Sequence, residues 1–136
     1  MKKLIPYIAF GSDCEEALNF YKDVFGGEIK NLMRYSDGPK EYQSEENLNR
    51  IMHSEFHADG FTLMAADEMR PKESWAGTRV SLSIDFDDPE EQNKVCEKLS
   101  EGGNVTMPLQ DTFWGARFAI LSDKFGISWM LNHDKQ

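Results

Sequence analysis

Two stretches of this sequence read as the same hairpin. Arg117 to Leu121 and Ile127 to Leu131 are short apolar runs on either side of Ser122-Asp123-Lys124-Phe125-Gly126, whose Asp, Lys and Gly supply turn chemistry. Upstream, Ile51 to Phe56 and Phe61 to Ala66 flank Ala58-Asp59-Gly60 in the same way, and aligning Gly60 with Gly126 also aligns Met64 with Met130. What precedes each hairpin repeats too. Leu4 to Phe10 reads as a strand, with Pro6 favouring an edge or the strand's start. Ser12-Asp13-Cys14-Glu15 fits a capping box, and a helix follows to about Phe25, with an apolar stripe on Ala17, Tyr21 and Val24 and Gly26-Gly27 to stop it. Glu28 to Tyr35 resumes as a strand. In the second half, Val80, Leu82, Ile84 and Phe86 alternate with Arg79, Ser81, Ser83 and Asp85, as in a half-buried strand. Asp88-Pro89-Glu90-Glu91 then starts a helix, with Asp as the cap and Pro at its first position. One common shift sets Phe20 on Val95, Tyr21 on Cys96 and Val24 on Leu99, while Gly26-Gly27 falls one residue short of Gly102-Gly103. Strand, capped helix, Gly-Gly, strand, hairpin therefore occurs twice. The expected fold is α+β: a single domain of two βαβββ modules, about 1–68 and 78–136, whose cupped sheets are mostly antiparallel, with Asp67 to Gly77 as the seam.

A length of 136 residues with 40% hydrophobic content suits one domain with a real core. The formal net charge of -9, with no cluster of Lys and Arg, argues against nucleic acid and against an anionic membrane surface, because both draw on clustered cations. No run approaches the roughly 20 apolar residues of a membrane span. Met1-Lys2-Lys3 leads into only a short apolar strand with no small-residue cleavage site, so a cytoplasmic protein is expected. Cys14 and Cys96 both fall in predicted helices and form no CxxC pair, which favours reduced thiols. Ser36 to Asn49 is polar and reads as a mobile loop over the rim of a site.

Several residues carry possible chemistry. His53, Glu55 and His57 lie two apart on one strand and so share a face. Two imidazoles and a carboxylate suit Zn or Fe, yet same-face neighbours stand almost about 7 Å apart, so three in a row converge on one ion only with a bend. The simpler expectation leaves Glu55 and His57 solvated near the strand end, with His53 pointing into the cup and hydrogen-bonding a neighbour. His133 is expected to be exposed. Cys14 sits where a helix dipole lowers a thiol pKa, but Asp13, Glu15 and Glu16 push the other way, so an ordinary thiol is expected there, and Cys96 reads as a small core residue. No Ser-His-Asp arrangement is legible from spacing. A ligand pocket is easier to assemble from Tyr7, His53, Arg79, Ser81, Ser83 and Trp114: the serines and Arg79 share the polar face of one strand, Arg79 is available to a carboxylate or phosphonate, and Trp114 stands before the last hairpin, as a pocket wall or as packing. Trp129 reads as core packing or a dimer contact. His53 with Asp85 is the candidate acid-base pair.

Taken together, Pro6-Tyr7-Ile8-Ala9-Phe10, Glu16-Ala17-Leu18-Asn19-Phe20-Tyr21, Phe25-Gly26-Gly27, Met52-His53, Gly102-Gly103, Phe113-Trp114-Gly115 and Asp123-Lys124-Phe125-Gly126-Ile127-Ser128-Trp129 resemble the vicinal oxygen chelate superfamily, the glyoxalase and bleomycin-resistance fold. The PhnB-like branch, sometimes labelled 3-demethylubiquinone-9 3-methyltransferase, is the nearest in pattern. The resemblance implies a ligand site in the cup, frequent homodimers, and, in metal-dependent members, His, Gln or Glu on the first and last strand of each module. The matching positions here fall near Pro6 or Tyr7, at Met64, near Ser81 or Ser83, and at Met130, none a good hard-metal ligand. No cofactor is therefore expected, a divalent metal being the alternative. No Gly-rich strand-to-helix loop supports the methyltransferase label. The resemblance thus implies a metal-free protein binding a small polar or aromatic molecule, as bleomycin-resistance proteins bind their drug. The alternative is a metal-dependent or acid-base enzyme of glyoxalase or dioxygenase type.

Overall fold

The computed structural model describes residues 4–67, 80–112 and 115–135. The chain divides into two compact units, Met1–Trp75 and Ala76–Gln136. The first contains β1 (Tyr7–Phe10), α1 (Cys14–Phe25), β2 (Glu28–Arg34), β3 (Ile51–Ala58) and β4 (Phe61–Asp67). The second contains β5 (Leu82–Asp85), α2 (Pro89–Leu99), β6 (Asn104–Asp111), β7 (Ala116–Ser122) and β8 (Ser128–Asp134). Both sheets have four strands, ordered β1-β4-β3-β2 and β5-β8-β7-β6. Within each, the first strand runs parallel to the last and the other pairs are antiparallel. The α+β, mostly antiparallel, doubled βαβββ architecture read from the sequence is the one observed.

Each unit builds its core between one face of its sheet and its helix. In the first, Ala17, Leu18, Tyr21 and Val24 of α1 meet Phe56, Leu63 and Ala65, which alternate with outward residues along β3 and β4. Phe25 stands edge-on to Phe61 with ring centroids 5.2 Å apart. Each large apolar side chain buried this way contributes about 1.5–3 kcal/mol. In the second unit, Gln92 is completely buried, yet its amide donates to the carbonyls of Arg117 and Leu131 at 2.9 and 3.1 Å and accepts from the Arg117 guanidinium, so none of its polarity is left unmet. Trp129 is core: only 1% exposed, with Nε1 donating to Asp123 Oδ2 at 2.9 Å. Of the two readings of Trp129, core packing is the one observed, and Leu131 is fully buried as well.

The paired glycines have a shared reason. A methyl group at Gly27 would lie 2.3 Å from the His57 carbonyl oxygen, and one at Gly103 would lie 2.2 Å from that of Ser122. In each unit the helix exit passes directly against the end of the hairpin's first strand, closer than any side chain permits.

Several local expectations are corrected. Helix α1 begins after Asp13, and neither Ser12 nor Asp13 caps it: the Cys14 amide donates instead to the Asp67 carboxylate at 2.9 Å. Asp67, at the end of β4 and 4% exposed, also accepts from the Ile51 amide at 2.8 Å, so one buried acid holds the helix start and the β3 start together. Helix α2 is capped locally, with Asp88 accepting from the Glu90 amide at 3.0 Å. β5 starts at Leu82 and Val80 is 78% exposed, so the apolar alternation extends less far than it reads. Around Ser36 to Asn49, which reads as a polar loop, the chain forms two 3-10 turns, Tyr35–Asp37 and Lys40–Tyr42, and a buried Asn47 bonds Tyr42 and Ser44. Among the described residues no helix is long and apolar enough to cross a membrane.

Candidate functional site

The site is built on the face of the first sheet that α1 does not cover. On β3, Ser54 and Phe56 turn toward the helix, and the Ser54 hydroxyl lies 3.9 Å from Cys14 Sγ. Strand alternation therefore sends His53, Glu55 and His57 to the opposite face. Register brings their neighbours: Met64 of β4 stands between Glu55 and Tyr7, Thr62 opposite His57, and Met33 of β2 opposite His53. In β2 a bulge sets Asn31 and Leu32 against the single residue Ser54, between the pairs Lys30 with Glu55 and Met33 with His53. Asn31 takes the left-handed conformation there, at φ 53°, and its amide reaches the Glu55 carboxylate.

These side chains form a polar row. Tyr7 Oη lies 3.0 Å from His53 Nδ1. His53 Nε2 faces Glu55 Oε2 at 3.9 Å, beyond hydrogen-bond range, while Glu55 Oε1 is 2.7 Å from His57 Nε2. Asn31 Nδ2 donates to Glu55 Oε2 at 3.1 Å, and Thr62 Oγ1 is 3.5 Å from His57 Nδ1. The bonds from His57 and Asn31 hold the Glu55 carboxyl below its ordinary range. Partial burial, reinforced by Cys14 and Tyr35, raises the Tyr7 phenol, so it is a neutral donor or acceptor at neutral pH. The expectation that His53 hydrogen-bonds a neighbour is met by Tyr7. Glu55 and His57, expected as solvated, are instead bonded to each other and only 25% and 37% exposed at their side chains.

This geometry does not gather His53, Glu55 and His57 around a common point. The carboxylate lies between the imidazoles and takes one of them as a hydrogen-bond donor, and among the described residues no group of three His, Cys, Asp or Glu side chains is arranged to hold a metal ion. At the positions where the resemblance places metal ligands, register selects Tyr7 beside Met64 and Ser83 beside Met130. A phenol, two thioethers and an aliphatic hydroxyl do not fit a hard divalent ion.

Ser83 is exposed on β5, Ser81 precedes that strand and pairs with Ser128 Oγ at 2.8 Å, and Asp85 accepts from Asn132 Nδ2 at 3.1 Å. All three lie in the second unit, and the acid beside His53 is Glu55. Arg79 and Trp114 lie outside the described residues. His133, expected as exposed, is partly buried, with Nδ1 bonded to the Phe86 carbonyl at 2.8 Å. Cys14 is fully buried and its thiol is pushed up to about 12, chiefly by that burial, which removes it as a nucleophile. Both cysteines are free, Cys14 buried and Cys96 intermediate. Asn31, Thr62 and Met33 escape sequence reading: a bulge and cross-strand register place them, and none of the three has a spacing signal.

Against known proteins, the model of the Glyoxalase/Bleomycin resistance protein/Dioxygenase superfamily matches residues 3–131. Protein YjdN of Escherichia coli (strain K12) is 32% identical over 143 residues, covering 98% of this chain and 96% of its own. Among solved structures, protein PA1353 of Pseudomonas aeruginosa superposes with a TM-score of 0.87 at 33% identity over 100% of both chains. The PhnB protein of Bacillus cereus gives 0.82 at 28% identity, over 97% of this chain and 99% of its own.

Proposed function

Because this chain belongs to the Glyoxalase/Bleomycin resistance protein/Dioxygenase superfamily, we propose that it binds a small organic molecule on the open face of its first sheet, through its own side chains and without a metal. One observation carries this reading: Tyr7 fixes His53 through Nδ1, while among the described residues no atom lies within hydrogen-bond distance of His53 Nε2. An oriented imidazole with a free nitrogen, beside a half-exposed phenol and two thioethers, is a small set of polar groups on an adaptable apolar surface, the composition ligand sites use. The donor types at Tyr7, Met64, Ser83 and Met130 support the metal-free part.

The reading extends to a cytoplasmic homodimer, supported by the two free thiols and by the resemblance, and light scattering tests the assembly. A second reading, in which His53 moves a proton of the bound molecule, is favoured by the Tyr7 to His53 bond and the nearby Glu55 charge. It is separated from the first by product formation.

The test is a thermal-shift screen of small organic molecules on chelator-treated protein, with hits repeated on His53→Ala. A compound that raises Tm in the metal-stripped protein and loses that effect in the variant supports the reading. Stabilisation that needs added metal, or that His53→Ala leaves intact, contradicts it.

A further inference from the structure

The chemical class of the ligand follows from the charges this face holds, and the argument rests on the binding reading above. Glu55 is its fixed negative charge, held ionised by the bonds from His57 and Asn31. Among the described residues, β1 to β4 contain two Lys or Arg side chains, Lys30 and Arg34. Lys30, opposite Glu55, pairs with Glu28 at 3.6 Å. Arg34 makes two bonds to Glu15 of α1, at 3.1 and 2.7 Å, and a third to the Asn49 carbonyl. An anionic ligand would meet Glu55 with no free Lys or Arg among these described strands to offset the repulsion.

The groups beside Glu55 attract a cation without neutralising the carboxylate. The Tyr7 side chain is 53% exposed, and its ring is tilted 43° from that of His53 with centroids 5.8 Å apart, which leaves aromatic surface open. Met64 lies between Tyr7 and Glu55 in the register, and Met33, 40% exposed, stands opposite His53. Thioethers are polarisable and carry no charge to repel an ammonium group.

Both imidazoles turn Nε2 toward Glu55, and both hold a hydroxyl at Nδ1, Tyr7 on His53 and Thr62 on His57. Glu28, opposite His57, is already shared with Lys30. Tyr7 and Cys14, raised above their ordinary ranges, add no negative charge near neutrality.

We propose that this face is a site for organic cations, with the ammonium group seated on Tyr7 and the two thioethers facing Glu55.

The test titrates three probes of one shape into the full chain, followed by amide and imidazole NMR shifts: benzyltrimethylammonium, a permanent cation; benzyl alcohol, neutral; and benzoate, an anion. At about pH 8 the ammonium binds about ten-fold or more tightly than benzoate. Glu55→Gln abolishes that difference. Lys30→Gln, a second variant that leaves the carboxylate in place, strengthens ammonium binding. Benzoate binding as tightly as the ammonium, or no shift at Tyr7 and His53 with any probe, overturns the proposal. Benzyl alcohol binding as well as the ammonium overturns the charge argument but leaves the binding reading intact. A His53-dependent hit from the thermal-shift screen, alongside silence from all three probes, does the same.

Discussion

Replacing Asp67 by Ala tests how the first unit is tied together. Its buried carboxylate accepts from the amides of Cys14 and Ile51 at 2.9 and 2.8 Å, and the variant leaves both donors without a partner in the protein. Hydrogen bonds to a charged group contribute about 1.5–3 kcal/mol each, so the expected loss is about 3–5 kcal/mol after partial relaxation. That is a fifth or more of the roughly 5–15 kcal/mol that holds an ordinary domain folded. Asp67→Asn keeps one oxygen acceptor but turns an amide group toward the second donor, for a loss of about 1.5–3 kcal/mol. Ser12→Ala is the control. A serine that capped α1 would cost about 1 kcal/mol on removal, but no side chain of the Ser12-Asp13 pair makes a cap bond, so the expected change is under about 0.5 kcal/mol. Urea unfolding followed by far-UV circular dichroism measures all three from shifts in the midpoint at constant slope. Asp67→Ala losing less than about 1 kcal/mol, or Ser12→Ala losing as much as Asp67→Ala, would refute the reasoning.

Four further outcomes are expected. Gly27→Ala and Gly103→Ala each destabilise by more than about 2 kcal/mol in the same urea assay, because the added methyl meets a backbone carbonyl in both units. Trp129→Phe costs about 1–3 kcal/mol by removing the donor to Asp123 Oδ2, and shows as a lower midpoint. Iodoacetamide at about pH 8 modifies Cys14 only as fast as the first unit opens, since a thiol at about 12 is almost wholly protonated there; labelling should accelerate with sub-denaturing urea. The folded Glu55 carboxyl lies below its unfolded value of about 4.3, so its contribution is present above that pH and is lost as the pH falls through the folded value; Glu55→Gln should therefore flatten the acid limb of the stability profile.

The parts of the fold that were legible in the sequence are those governed by neighbours along the chain. Asp59-Gly60 and the Asp123 turn announce their hairpins, and Asp88-Pro89 announces a helix start that the structure caps as expected. Where a distant group competes, local reading fails. The capping box at Ser12 is outbid by Asp67, which reaches the helix start from the far end of the module. His133 is drawn out of solvent by the Phe86 carbonyl, a strand away.

At the site, the shared face of His53, Glu55 and His57 follows from strand period alone, and Tyr7 comes from the first strand. What holds them could not be read. The Asn31 contact depends on a bulge, and a bulge shifts register without a marker in residue type. The choice of Tyr7 over Pro6 and of Ser83 over Ser81 depends on parallel register, which spacing leaves open by a residue or two.

Metal-free binding on the Tyr7 and His53 face is tested most directly by adding a compound from the thermal-shift screen to metal-stripped protein labelled with nitrogen-15 in its histidines and following the three imidazoles. His53 nitrogen shifts are expected to move in saturable fashion while His133, bonded to Phe86 in the second unit, stays still. A compound that stabilises the protein but leaves His53 unmoved, or moves it only once a divalent metal is restored, would contradict metal-free binding at His53.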